Sequence, residues 1–120
     1  MYKIIFYRKE NGEIPVQAFL DSLDISMRTK MLYEIELLEL LGTRLREPHS
    51  KYLGNKILEL RAVSGNNISR VLYFFVAGER IVLTHGFIKE TQKTPKQEIE
   101  RAIKYMKSYI DKEADGYDYF

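Results

Sequence analysis

The chain has 120 residues, no cysteine and a formal net charge of +2. That length suits one domain, residues 1–120, with a single modest core. It excludes disulfide frameworks and thiolate metal sites, and the two histidines, His49 and His85, are too few for a histidine-rich metal centre.

No N-terminal apolar run resembles a signal peptide and no stretch is long enough to span a bilayer, so a cytoplasmic protein without a membrane partner is expected. The elements then follow in order. Tyr2 to Tyr7 is a β-branched and aromatic run, read as a strand. Asn11-Gly12 signals a turn. Pro15 presets the first turn of a short helix over 15–23, with Val16, Phe19, Leu20 and Leu23 at helical spacing. A second helix is predicted over 25–41, capped by Asp24 or Ser26 and stopped by Gly42. Met31, Leu32, Ile35, Leu38 and Leu41 are its apolar positions, and the two helices read as a hairpin packed on a sheet.

Residues 42–55 read as a polar loop. Arg44, Arg46, Lys51 and Lys56 place cations where it meets the next segment. From Lys56 to Lys89, three runs rich in Val, Ile, Leu, Phe and Tyr are separated by Ser64-Gly65-Asn66-Asn67 and Ala77-Gly78-Glu79. This is the pattern of a three-stranded antiparallel meander. Thr94-Pro95-Lys96-Gln97 is a capping box, and a helix is predicted from Pro95 to about Lys112. Ile99, Ala102, Ile103, Met106 and Ile110 form its inner face. The acidic, aromatic tail from Ala114 to Phe120 is expected to be loosely held. The fold class is therefore α+β, with a small, mostly antiparallel twisted sheet.

Charge is unevenly spread. Residues 1–50 carry 7 Lys or Arg against 8 Asp or Glu, residues 51–112 carry 12 against 6, and residues 113–120 carry none against 3. The basic character belongs to the meander and the last helix, which suits a polyanionic partner.

Register sharpens this. If Val63 faces Ile68, then Arg61 lies opposite Arg70. If the second turn is a two-residue Gly78-Glu79, Arg70 faces Phe87 and Leu72 faces His85. Alternation then places Arg61, Arg70, His85, Phe87 and Lys89 on one face. Leu58, Leu60, Val71, Tyr73, Phe75, Val82 and Ile88 fall on the other, as a core face. Opposed arginines repel, so an anion is expected between them.

No Gly-rich phosphate loop, nucleophile elbow or metal motif is present. Cations around an acid/base group suit metal-free, cofactor-free RNA cleavage. There the 2′-hydroxyl attacks and the protein aligns, neutralises charge and moves protons. Arg61, Arg70, His85 and Lys89 are the candidate catalytic residues. Lys56, Lys93, Phe87 and Tyr73 are candidates for substrate binding, the two rings by stacking on bases. Bland uses compete: Arg61 can pair with Glu59 or Glu90, and Tyr73 lies on the core face. His49, in the loop after Pro48, reads as bland.

Leu53-Gly54, Glu59-Leu60-Arg61, Arg70-Val71-Leu72-Tyr73-Phe74, Leu83 with His85-Gly86-Phe87, Lys89 and Thr94-Pro95 form a familiar series, followed by an amphipathic helix. The series closely resembles the HigB branch of the RelE/ParE toxin superfamily. That resemblance implies a RelE-like α+β fold with helices packed on one side of the sheet. It implies the toxin of a type II toxin–antitoxin module that cleaves mRNA on the ribosome. It implies neutralisation by a HigA-type helix-turn-helix antitoxin, whose complex with the toxin contacts operator DNA. By resemblance, Arg70 matches the arginine at the scissile phosphate, Arg61 the arginine ending the preceding strand, and Lys89 a basic residue after the last strand. Two alternatives stand beside this reading. One is a ParE-like inhibitor of DNA gyrase. The other is a non-catalytic nucleic-acid-binding module.

Overall fold

The computed structural model describes residues 1–89 and 93–117, with the side chains of residues 1–88 and 93–113. The order is β1 (Lys3–Phe6), α1 (Pro15–Ser22), α2 (Ile25–Leu41), a 3-10 turn (Gly42–Arg44), β2 (Ser50–Gly54), β3 (Ile57–Ser64), β4 (Asn67–Val76), β5 (Arg80–Lys89) and α3 (Lys96–Tyr117). The five strands form one sheet in the order β1-β5-β4-β3-β2. Only β1 runs parallel to its neighbour, pairing Lys3 with Arg80 through Phe6 with Leu83. The sheet is therefore mostly antiparallel and open, as an α+β reading requires.

Local chemistry accounts for the helices before the meander. Pro15 occupies the first turn of α1. The Asp24 carboxylate accepts the Met27 amide at 2.8 Å and caps α2, and Gly42 ends it with φ of 53°. Met27, Met31, Ile35 and Leu38 form the buried stripe of α2. Leu32 lies off that stripe and is exposed.

The loop predicted at 42–55 contains a strand. Ser50–Gly54 pairs with Leu60 to Ile57 and becomes the sheet's outer edge, with a register shift between Tyr52 and Gly54. Short, polar, irregular strands are common at edges because they discourage further pairing. Gly54, Asn55 and Lys56 all take positive φ, and the Lys56 amide donates to the Tyr52 hydroxyl at 3.1 Å. The tail also differs from expectation: α3 continues to Tyr117.

Helices cover both faces, not one. Val16, Leu20, Met27, Met31 and Leu38 pack with Leu60, Ala62, Val71, Tyr73, Ile81 and Leu83. On the opposite face, Ala102 and Met106 of α3 pack with Ile57, Leu72, Phe74, Val82 and Tyr7. Gly86 permits the first layer, since a Cβ there would stand 2.2 Å from the Phe19 ring.

The first hairpin has the predicted register, from Leu58 opposite Tyr73 to Ser64 opposite Asn67. The second departs twice. Three residues, 77–79, join Val76 to its partner Arg80, one more than predicted, and a register shift follows between Leu72 and Tyr73. Leu72 pairs with His85 and Tyr73 with Leu83, so Thr84 is bulged. The longer turn and the bulge cancel beyond Leu72, and Arg70 still faces Phe87. Before the bulge the alternation is flipped, so Val82 lies under α3 and not with Val71 and Tyr73. Ile88 is 46% exposed and is not core.

Candidate functional site

Arg61 and Arg70 are directly opposed, and the anion between them belongs to the protein. Glu59 stands two residues before Arg61 on the same face of β3. Its Oε2 accepts the Arg61 Nε–H at 2.6 Å, and its Oε1 lies 3.6 Å from Arg70 Nε. The Thr94 hydroxyl, just before α3, donates to Glu59 Oε1. Glu59 and Arg70 are fully buried, whereas the Arg61 side chain is 15% exposed. Burial pulls the Arg70 pKa below its ordinary value; Glu59 opposes that shift and Arg61 adds to it. An arginine so placed stays cationic because its intrinsic pKa is far above neutrality.

His85 lies on the same face of the sheet, one strand further along. The Thr84 hydroxyl lies 3.1 Å from the Leu72 carbonyl and 3.1 Å from His85 Nδ1. Nε2 faces Glu98 Oε1 of α3 at 3.4 Å, and neither atom has another hydrogen-bond partner among the described residues. Burial lowers the His85 pKa; Glu98 raises it and Arg101 lowers it further. Two contacts, Thr94 to Glu59 and Glu98 to His85, thus anchor the start of α3 over the polar part of the sheet.

The remaining predicted residues are scattered. Phe87 is half-buried beside the His85 ring, with centroids 6.0 Å apart. Tyr73 is in the core on the α2 face, where its hydroxyl donates to Ser50 Oγ at 2.9 Å and burial raises its pKa. Lys56 is exposed in the turn between β2 and β3. Lys93 is exposed beside Lys51, Tyr52 and Thr94 in a shallow groove. The Lys89 backbone pairs with Ile68, but its side chain lies outside the described residues, as does Glu90.

A second histidine has geometry that sequence reasoning passed over. The carboxylate of Glu34 on α2 holds His49 Nδ1, at 2.9 Å from Oε2 and 3.2 Å from Oε1. The Arg61 amide donates to the His49 carbonyl at 3.0 Å, fixing the loop against β3. His49 and Glu34 line a cleft of about 630 Å³ together with Arg61, Lys30, Tyr33 and Val63. The only hint in the sequence was Pro48-His49 itself, since Glu34 comes into range only once α2 is docked.

The sequence profile of the phage-derived Gp49-like family (DUF891) matches residues 18–107, three quarters of the chain. The chain belongs to the Gp49-like family. That family includes RelE/HigB-like toxins and is associated with toxin–antitoxin systems. No curated protein matches the chain. The Gp49-like region takes in β2 to β5 and most of α3, and so contains Glu59, Arg61, Arg70, His85 and His49 alike. Among the described residues of this Gp49-like chain, no group of three or more His, Asp or Glu side chains is placed to hold a metal. No helix among them is long and apolar enough to cross a membrane. Chemically, the arrangement offers a carboxylate-braced arginine at a cleft, an enclosed imidazole held between Thr84 and Glu98, and a second imidazole with one nitrogen committed to Glu34.

Proposed function

We propose that this chain is the toxin of a type II toxin–antitoxin module, a HigB-like endoribonuclease that cleaves mRNA on the ribosome by 2′-hydroxyl attack. One observation carries the reading: Arg61, braced through Nε by Glu59, lines the cleft that also holds Lys30 and His49. A braced guanidinium offers its remaining N–H groups to phosphate oxygens with little ordering left to do. Arg70 backs the site from behind: its charge, with Glu59, fixes where Arg61 points. Exposed Lys56 and Lys93 add to the basic balance of residues 51–112, and Lys89 and Phe87 remain candidates for contacting a phosphate and a base. Family membership and the basic balance of residues 51–112 support the same reading. The partner that restrains the activity is a HigA-type antitoxin carrying the DNA-binding function, and the site of action is the cytoplasm.

Induced expression tests this, with growth followed and mRNA 5′ ends mapped for wild type and Arg61→Ala. Arrest with new mRNA ends, both lost in Arg61→Ala at an unchanged protein level, is the expected result. Arrest with intact mRNA and DNA-damage signalling would replace the nuclease reading with gyrase inhibition.

A further inference from the structure

We propose that His49, oriented by Glu34 in the cleft that Arg61 lines, is the proton-transferring residue for cleavage of single-stranded RNA at a phosphodiester. The proposal rests on the RNA-cleaving reading above and names its reaction centre. A group that exchanges a proton with substrate must reach it. The His85 side chain is 4% exposed, and its Nε2 faces Glu98 beneath α3. The His49 side chain is 40% exposed and lines the cleft. Glu34 holds Nδ1, so Nε2 is the nitrogen left for substrate, the division of labour that a carboxylate imposes on a catalytic imidazole.

The surroundings fit an RNA phosphate and its base. Arg61 from β3 and Lys30 from α2 both line the cleft, and Glu34, the one carboxylate among its described lining residues, is already committed to His49. Tyr33 is 58% exposed and Val63 56%, leaving an aromatic ring and an apolar edge for a base. The volume of about 630 Å³ lies within the roughly 300–1,000 Å³ range of ligand sites. The backbone bond from Arg61 to the His49 carbonyl fixes the loop that carries His49 against the strand that carries Arg61.

The step balances without a metal or co-reactant. The 2′-oxygen bonds to phosphorus while its proton passes to neutral His49 Nε2. The phosphorus–O5′ bond breaks, and the 5′-oxygen takes a proton from water. His49 then returns its proton to solvent, leaving a 2′,3′-cyclic phosphate and a 5′-hydroxyl. His49 is the catalytic residue and Glu34 a positioning residue.

The test is cleavage of a defined mRNA bound to purified ribosomes, by the full chain and its His49→Ala, His49→Gln, Glu34→Gln and Arg61→Ala variants. Thermal melting checks that each is folded. The expected loss in kcat for His49→Ala is about 10²–10⁴-fold, with partial recovery when free imidazole is added to the buffer. His49→Gln, which keeps an N–H for Glu34 but has no base, is expected to be as slow. Glu34→Gln should lower kcat and leave KM unchanged. Wild-type rates for His49→Gln with an inactive Arg61→Ala would overturn this assignment and leave the RNA-cleaving reading standing. The same holds for an inactive His49→Ala that imidazole fails to restore beside a fully active His49→Gln. No cleavage by the wild type would overturn both.

Discussion

Arg61 and Arg70 face each other across β3 and β4, yet only Arg61 reaches solvent. Glu59 reconciles the two charges from within the protein. The pair therefore divides into an outer arginine that is partly exposed and an inner one enclosed with Glu59.

That division predicts unequal stability losses. Arg70→Ala would leave the buried Glu59 facing Arg61 and Thr94 among the described residues. Breaking a buried ion pair from one side destabilises by about 3–5 kcal/mol. Arg61→Ala removes one charge-assisted hydrogen bond from a partly exposed side chain, worth about 1.5–3 kcal/mol. Urea unfolding midpoints of the two variants check the order. If Arg70→Ala were the milder substitution, Arg70 would not be the structural member of the pair.

Thr94→Val tests how α3 is anchored. The hydroxyl it removes donates to a fully buried carboxylate. The expected loss is about 1–3 kcal/mol, because Glu59 Oε1 stays buried without that donor. Hydrogen exchange should quicken first in the opening turns of α3, while β3 and β4 keep their protection. Uniform loss across the sheet would mean that the contact does not hold the helix locally.

Much of this was legible in the sequence. The Gly65-Asn66 turn fixed the β3–β4 register, and with it the opposition of Arg61 and Arg70. The β4–β5 register at Arg70 was also right, although by compensation: a turn one residue longer than predicted is offset by the bulge at Thr84. Val82 reveals the compensation, because it lies between the two and changed face. Which face α3 would cover was not legible. Its stripe of Ile99, Ala102, Ile103 and Met106 fits either side of a sheet, and only tertiary packing chooses. The burial of Arg70 follows from that choice. β2 was missed because Ser50 to Gly54 carries no apolar alternation, and its pairing is dictated by the exposed edge of β3. The Glu34–His49 pair was missed for a related reason: its halves lie 15 residues apart, on elements that meet only in the finished fold.

The fit of α1 against β5 gives a prediction by steric argument alone. A methyl group at position 86 would stand 2.2 Å from Cδ2 and 2.5 Å from Cε2 of Phe19. Gly86→Ala should destabilise by about 1–3 kcal/mol, the usual range for overpacking. Phe19→Ala made in the same chain should recover part of that loss, since contacting residues couple in double-mutant cycles. Additive losses in chemical unfolding would show that α1 moves aside and that the ring is not the obstacle.

His85 gives the fold a pH dependence whose direction can be worked out. Burial places its folded pKa below the ordinary histidine value, against the partial opposition of Glu98. The unfolded chain therefore binds a proton at His85 more readily than the folded one does. By linkage, the stability tied to this residue is present above the unfolded pKa of about 6.5 and is lost as pH falls from there through the folded value. His85→Asn keeps a polar group beside Thr84 but does not titrate. Its melting temperature should fall less steeply than that of the wild type as pH is lowered below about 6.5, with the two curves parallel at higher pH. A wild type that grew more stable than the variant on acidification would mean the opposite. The proton would then be favoured between His85 and Glu98, the ion pair would outweigh burial, and α3 would be clamped more firmly in acid.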